Sequence, residues 1–224
     1  MAADHKIDIY CERMGPEFWA EPLNAVTNLS FIVAALVCAR AASGSRDALA
    51  YILCAILFAI GVGSFLWHTV AEPWAGAADT IPILLFILTY LYAAIVRYLG
   101  LPFWAGLLGP VAFIAFAIGF AAAWNALMPS VNGSEGYFPV IILLAGFGVL
   151  LRTRAHPAAG ALLTASGLFA VSLFFRSIDD AICQAVPIGS HTLWHLLNGL
   201  LLGIVLMAFI RHGRRSLAPA GARG

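Results

Sequence analysis

Charged side chains are scarce in this sequence. Asp, Glu, Lys and Arg make up 10% of the 224 residues, whereas 62% are hydrophobic and the mean hydropathy is +0.93. A soluble domain carries roughly 25% charged residues, so the composition excludes a soluble globular fold. The net charge of +1 gives no reason to expect nucleic acid as a partner. The composition predicts an integral membrane protein.

Other signals are missing as well. The four cysteines are too few and too scattered for a disulfide scaffold or a paired-cysteine zinc site. The first twenty residues lack the apolar core of a cleavable signal peptide. The apolar runs lack the alternation of β-barrel strands. No internal repeat indicates a transporter, and no ring of charges indicates a channel.

Long apolar runs are what the chain does have. A helix needs about 20 apolar residues to cross a bilayer, and windows of that size predict an all-α integral membrane protein with seven transmembrane helices. The predicted spans lie near residues 23–43, 48–70, 77–97, 102–124, 137–151, 158–176 and 189–210. They leave an extracytoplasmic N-terminal segment (1–22), a seven-helix transmembrane domain (23–210) and a flexible basic cytoplasmic tail (211–224).

The distribution of basic residues predicts the orientation. In a seven-span arrangement Lys6, Arg13 and Arg176 fall on one side, and all other arginines fall on the opposite side. The positive-inside rule therefore places the N-terminus outside and the C-terminus in the cytoplasm. Richness in Ala, Gly and Arg with compact loops indicates a bacterial protein, and hence a multi-pass protein of the inner membrane.

A few polar residues interrupt the apolar spans at one level. Ser64 and His68 lie in the last turns of the second span, Asp79 opens the third, and His191 and His195 open the seventh. All three span ends lie on the outer side, so these residues share the outer leaflet. Ser64 with His68, and His191 with His195, are i, i+4 pairs, so each pair occupies one helix face.

Three imidazoles and a carboxylate that converge from three helices match the ligand needs of zinc. Placing ionisable groups near hydrocarbon is unfavourable in free energy, and a bound cation would offset that cost. The alternative is that each histidine is a hydrogen-bonded interface residue, which is the interpretation for His5, His156 and His212. The metal is favoured by the convergence of two helices, but Asp79 could also close a purely structural four-ligand site.

Two motifs carry a resemblance to a known family. "GSFLWH" followed by Asp79, and "SHTLWH" with Asp179 and Cys183 just upstream, resemble the alkaline ceramidase family within the CREST group of membrane hydrolases. The N-terminal "YCERMGPEFWAEPLNAVTN", residues 10–28, is similar to that family's opening segment. The resemblance covers nearly the whole chain in order. Related receptors share the same set of residues.

The resemblance implies a zinc-dependent hydrolase that cleaves the amide bond of ceramide or a similar N-acyl lipid, releasing a fatty acid and a long-chain amine. His68, His191 and His195 would ligate zinc. Asp79 would bind the metal directly or activate the water on it, and Ser64 would stabilise the oxyanion. The alternatives are a lipid-ester hydrolase or remodelling enzyme of the same group, and a seven-helix lipid receptor with structural zinc. Beyond a lipid substrate and the bilayer, no partner is indicated.

The resemblance also implies calcium close to the zinc site. The matching positions are Tyr10 (through its carbonyl), Glu12 and Glu21. Two further oxygen ligands are expected where this chain has Ile9 and Met14, whose side chains cannot bind calcium. Asp8 would compensate only by a one-residue shift. The alternative is a solvated acidic loop.

The resemblance further implies a disulfide between Cys11 and Cys183, which an oxidising compartment permits. Asp179 and Asp180 lie just before the second cysteine. They would either support a zinc-bound histidine or end a helix as a pair in a loop, and the sequence leaves both alternatives open.

Overall fold

Helices make up nearly all of the regular structure in the computed structural model, which describes residues 6–213. Within that range there is no strand. The α-helices are α1 (Pro22–Thr27), α2 (Leu29–Ala42), α3 (Ala48–Val70), α4 (Pro73–Tyr98), α5 (Phe103–Leu127), α6 (Phe138–Thr153), α7 (Ala159–Ile182) and α8 (His191–His212). A 3₁₀ turn, Glu135–Tyr137, precedes α6. With α1 and α2 joined, seven units are long and apolar enough to span a membrane, which confirms the predicted fold class.

Two helix ends differ from the sequence prediction. Helix α4 begins at Pro73 rather than near residue 77, because proline is well suited to the first turn of a helix. Asp79 therefore lies nearly two turns inside α4 and does not open it. Helix α7 continues to Ile182 rather than ending near 176. Asp179 is consequently a helical residue with no exposed surface, not part of a loop.

The bundle core lies between α2, α3, α4, α7 and α8. Its largest fully buried side chains include Leu53 and Leu57 of α3, Leu162 of α7, and Leu206 and Phe209 of α8. Helix α5 packs against α4 and presents most of its surface outwards, since it has only two buried residues. The core helices therefore carry the polar residues of interest, and α5 lies at the periphery.

The N-terminal segment folds back over one end of the bundle, called here the site end. The Ile7 N–H donates to the Ala71 carbonyl at 2.9 Å, in the α3–α4 connection. Cys11 forms a disulfide with Cys183, with the two Cα atoms 5.2 Å apart, just beyond α7. The predicted flexible tail falls largely on residues 214–224, outside the described residues.

Two glycines allow close approach at the site end. A Cβ on Gly63 would collide with the Ala78 carbonyl, so this glycine lets α3 and α4 meet where Ser64 and Asp79 lie. Gly189 has φ +64°, and a Cβ there would collide with the Asp179 carboxylate. Both collisions involve groups that have little room to move.

Candidate metal centre and catalytic cavity

Three histidines meet at the site end of the bundle. His68 comes from the last turn of α3, and His191 and His195 come from the first turns of α8. One nitrogen from each ring lies within 4.8 Å of the other two. All three side chains are buried. Within residues 6–213 this is the one group of three or more His, Cys, Asp or Glu side chains positioned to share a metal ion.

Glu21 fixes the orientation of the His68 ring by contacting its outer nitrogen, Nδ1, which is the ring nitrogen that does not face the other histidines. His68 Nδ1 lies 2.6 Å from Glu21 Oε2, and the other carboxylate oxygen accepts from Arg13 Nε at 2.6 Å. Burial alone would raise the pKa of Glu21, but the His68 hydrogen bond, with Asn24 and the Arg13 charge, outweighs it and lowers that pKa. A carboxylate can only accept. His68 therefore donates its Nδ1 proton to Glu21, and in the neutral form of the ring the lone pair lies on Nε2.

The outer nitrogen of His195 is fixed by Thr27. Thr27 Oγ1 lies 2.9 Å from His195 Nδ1. The same hydroxyl donates to the Leu23 carbonyl at 2.8 Å, so it accepts from the imidazole. The Asn24 carbonyl is a second acceptor for this ring. The Nε2 of His195 therefore also carries a lone pair.

The two inner nitrogens face each other. His68 Nε2 and His195 Nε2 are 3.1 Å apart, and two lone pairs at that distance repel unless a proton or a cation lies between them. Tetrahedral zinc with Zn–N distances near 2.0–2.1 Å would separate its ligand nitrogens by about 3.3 Å. His191 Nδ1, moreover, is buried and has no hydrogen-bond partner among the described residues. The three histidines therefore form a possible metal-binding triad.

Asp179 and Tyr10 position His191. Asp179 Oδ1 accepts from the backbone N–H groups of Ser190 at 2.6 Å and His191 at 2.9 Å, and its Oδ2 accepts from Cys11 N at 3.1 Å. An acidic group that satisfies free N–H groups stabilises a helix start. The Tyr10 ring stacks on His191, with centroids 3.8 Å apart. Asp179 therefore supports a candidate metal ligand, and the alternative of a loop pair is wrong for this residue.

A cavity of ≈ 330 Å³ adjoins the histidines, and Ser64 and Asp79 lie on its wall. The Ser64 hydroxyl hydrogen-bonds to the Asp79 carboxyl. Asp79 is partly exposed to this space, whereas Ser64 is buried. The structure thus brings all five predicted site residues together at one place.

Arg176 on α7 lines the same cavity. Its Nη1 donates to the Asn132 carbonyl at 2.7 Å and to Ser134 Oγ at 3.0 Å, and its guanidinium lies 5.6 Å from the ring centroids of Tyr137 and Trp194. In the sequence Arg176 served only to predict orientation, and neither Tyr137 nor Thr27 was predicted to lie at the site. An arginine within an apolar run was the available signal.

A narrow apolar cavity of ≈ 80 Å³ lies next to the polar one. The two share Ile83, Tyr137 and Trp194 as wall residues. Farther from the histidines, the apolar cavity is lined by residues such as Phe86 and Tyr90. The polar site therefore borders a space whose walls suit an alkyl chain.

The residues predicted for calcium have protein partners in this structure. Both carboxylate oxygens of Glu12 accept backbone N–H groups, from Leu23 and Asn24, at 2.7 Å each. Burial raises the pKa of Glu12 and these two bonds oppose the shift. Glu21 is engaged by His68, as described above, and Met14 is 87% exposed. Calcium at this segment stays a prediction.

The fold and the site define a multi-pass membrane protein with a buried histidine centre beside a polar cavity. The family model described as Ceramidase matches residues 9–220, and the chain therefore belongs to the Ceramidase family, which confirms the resemblance seen in the motifs. Membership indicates a ceramide-hydrolysing membrane enzyme. Comparison with curated proteins found no match.

Proposed function

We propose that the protein is a zinc-dependent membrane amidase that hydrolyses the amide bond of ceramide or a similar N-acyl lipid to a fatty acid and a long-chain amine. The observation that carries this proposal is the 3.1 Å approach of the Nε2 atoms of His68 and His195. A third histidine and a carboxylate lie beside them on the cavity wall. Family membership supplies the class of substrate.

His68, His191 and His195 would hold the zinc ion. When bound, zinc lowers the pKa of a coordinated water towards about 7 and polarises an acyl carbonyl. Glu21 and Thr27 keep the Nε2 lone pairs of two ligands directed inwards. The protein thereby orients two of the three proposed ligands before any ion binds.

Asp79 is the proposed proton carrier. Its carboxyl accepts a proton from the attacking water and returns it to the leaving amine, which is general base and then general acid catalysis. The hydrogen bond from Ser64 fixes the direction of this carboxyl. The same hydroxyl lies on the cavity wall. Because it has a single proton, it donates to an oxyanion only when it releases Asp79.

Arg176 supplies the positive charge of the cavity. A carboxylate forms when the amide bond is cleaved, and a guanidinium held by Asn132 and Ser134 is placed to attract it. The apolar cavity beyond Ile83 and Trp194 suits the acyl chain of the substrate. An amide bond held where the two cavities meet lies beside the histidines while the acyl chain stays in the apolar cavity.

The test combines zinc content with turnover in detergent-purified protein. A fluorescent N-acyl sphingosine serves as the substrate, and the wild type is compared with Asp79→Asn and His195→Ala. We expect about one zinc per chain in the wild type, retained zinc without hydrolysis in Asp79→Asn, and loss of both in His195→Ala. Asp180→Asn is the matched control, because this aspartate is exposed and does not line the cavity, so it should retain zinc and activity.

The outcomes separate the candidate functions. Zinc without amide hydrolysis, but with hydrolysis of a fluorescent lipid ester, would identify the esterase alternative. Zinc without any turnover would favour a receptor with structural zinc. A wild type that folds but binds no zinc would contradict the metal centre itself.

A further inference from the structure

A buried arginine lies directly behind the histidine centre. Arg13 is 4% exposed. Its Nε donates to Glu21 Oε1 at 2.6 Å, its Nη2 donates to the His68 carbonyl at 3.0 Å, and its Nη1 donates to the Gly15 carbonyl at 3.3 Å. One guanidinium therefore bridges the N-terminal segment to the end of α3.

This guanidinium compensates the charge that holds His68. Glu21 is 2% exposed, and a buried carboxylate needs both a counter-charge and hydrogen bonds to remain ionised. Arg13 provides the formal charge, while His68 and Asn24 provide donors to the other oxygen. The orientation of the His68 ring thus depends on Arg13 through Glu21.

The calcium site that the resemblance implies would use Glu21, the carboxylate that Arg13 neutralises. Calcium takes six to eight oxygen ligands. Glu21 already accepts from a guanidinium and an imidazole, and Ile9 and Met14 offer no side-chain oxygen. Among the described residues, Asn24 Oδ1 is an unsatisfied buried oxygen next to Glu21, but one neutral oxygen does not make a calcium site. A divalent cation here would also be repelled by the guanidinium.

We propose that Arg13 takes the place of the calcium ion that the family resemblance implies, so that the histidine centre of this protein is built without calcium. An internal cation then performs the task of a bound one: it neutralises Glu21 and ties the N-terminal segment to His68. The inference rests on the proposed zinc centre, because zinc affinity is the property that Arg13 supports.

The first test uses the wild type and the two metals alone. Calcium binding is measured by equilibrium dialysis with calcium-45, and zinc affinity by competition with a chromophoric chelator. At calcium up to about 1 mM, the range of weak extracellular calcium modules, we expect no bound calcium and an unchanged zinc affinity. Stoichiometric calcium binding that tightens zinc would overturn the proposal. This calcium result is obtained whether or not the protein hydrolyses ceramide.

The second test alters Arg13. Arg13→Ala should weaken zinc binding by about 10–100-fold, the usual effect of losing support for a metal ligand, and Arg13→Lys should lose less because it keeps the charge. Lys6→Ala is the matched control: Lys6 lies in the same segment and pairs with Glu72 at 2.7 Å, and its loss should leave zinc affinity unchanged. An Arg13→Ala protein that folds and binds zinc like the wild type would refute the role of Arg13.

The third test converts the site. Arg13→Ala combined with Ile9→Asp and Met14→Asp removes the internal cation. It also places a carboxylate at the two positions where the family resemblance expects an oxygen ligand. We expect this variant to regain tight zinc binding only when calcium is present. A variant that folds but gains no calcium dependence would contradict the idea that the two cations are interchangeable. If Arg13→Ala alone does not fold, the wild-type calcium measurement still decides the proposal.

Discussion

Thr27 offers a direct test of how the histidines are oriented. Thr27→Val keeps the shape and the β-branching of the side chain but removes the hydroxyl that accepts from His195 Nδ1 at 2.9 Å. The ring then loses one of its two acceptors, because the Asn24 carbonyl remains. The proton on Nδ1 is held less firmly, and the lone pair on Nε2 is directed inwards for less of the time.

The size of the expected loss of zinc affinity depends on the acceptor that remains, the Asn24 carbonyl. Loss of a group that orients a metal ligand typically weakens metal affinity by about 10–100-fold. Since Asn24 still accepts from the ring, we expect the lower end of that range, about tenfold, which corresponds to about 1.4 kcal/mol. The assay is zinc competition against a chromophoric chelator, with thermal unfolding measured in parallel to show that the bundle is intact.

Two control variants make the result decisive. Thr27→Ser retains the hydroxyl and should bind zinc like the wild type. Thr69→Val removes a hydroxyl next to His68 in sequence that donates to backbone carbonyls, those of Phe65 and Leu66, rather than to an imidazole. It should leave zinc affinity unchanged. If Thr27→Val binds zinc as tightly as the wild type, or Thr69→Val loses as much, the tautomer argument fails.

Three further substitutions test residues that hold the helices and the N-terminal segment in position around the site. Gly63→Ala should push α4 away from α3 at Ala78 and lower kcat by about 100-fold while zinc stays bound, since a misplacement of about 1 Å can cost that much. Unchanged turnover would contradict the close approach of the two helices as the reason for this glycine. Cys11→Ser should lower stability by about 2–4 kcal/mol, measured by thermal unfolding in detergent. On heating, this variant should release zinc before it loses helicity. Loss of zinc and helicity at the same temperature would contradict that order. Glu12→Gln should destabilise α1 by about 1 kcal/mol, read as a lower Tm, because an amide offers one acceptor oxygen where the carboxylate offers two.

The sequence predicted the helices and the histidine cluster because both depend on local spacing. Apolar runs define spans, and the i, i+4 pairs place Ser64 with His68 and His191 with His195 on common faces. The structure keeps these residues together at one end of the bundle. The helix ends were less accurate: Pro73 begins α4 earlier than its apolar run does.

The supporting residues could not be predicted in the same way. Thr27 meets His195 across 168 positions of sequence, and Glu21 meets His68 across 47. Such contacts depend on how the N-terminal segment folds back, and no periodic pattern encodes that path. Arg13 was interpreted only as a charge on the outer side, although it is one of the most buried charged residues of the segment.

The N-terminal segment, together with α1, contacts all three histidines of the candidate centre. It contributes Glu21 to His68, α1 contributes Thr27 to His195, and Tyr10 stacks on His191. Three histidines from only two helices would be free to rotate, because apolar neighbours in a membrane bundle offer no hydrogen bonds to their outer nitrogens. The N-terminal segment supplies one of these bonds through Glu21, and helix α1 supplies the other through Thr27. The guanidinium of Arg13 and the disulfide at Cys11 hold that segment in place, so the geometry of the candidate metal centre depends largely on residues outside α3 and α8.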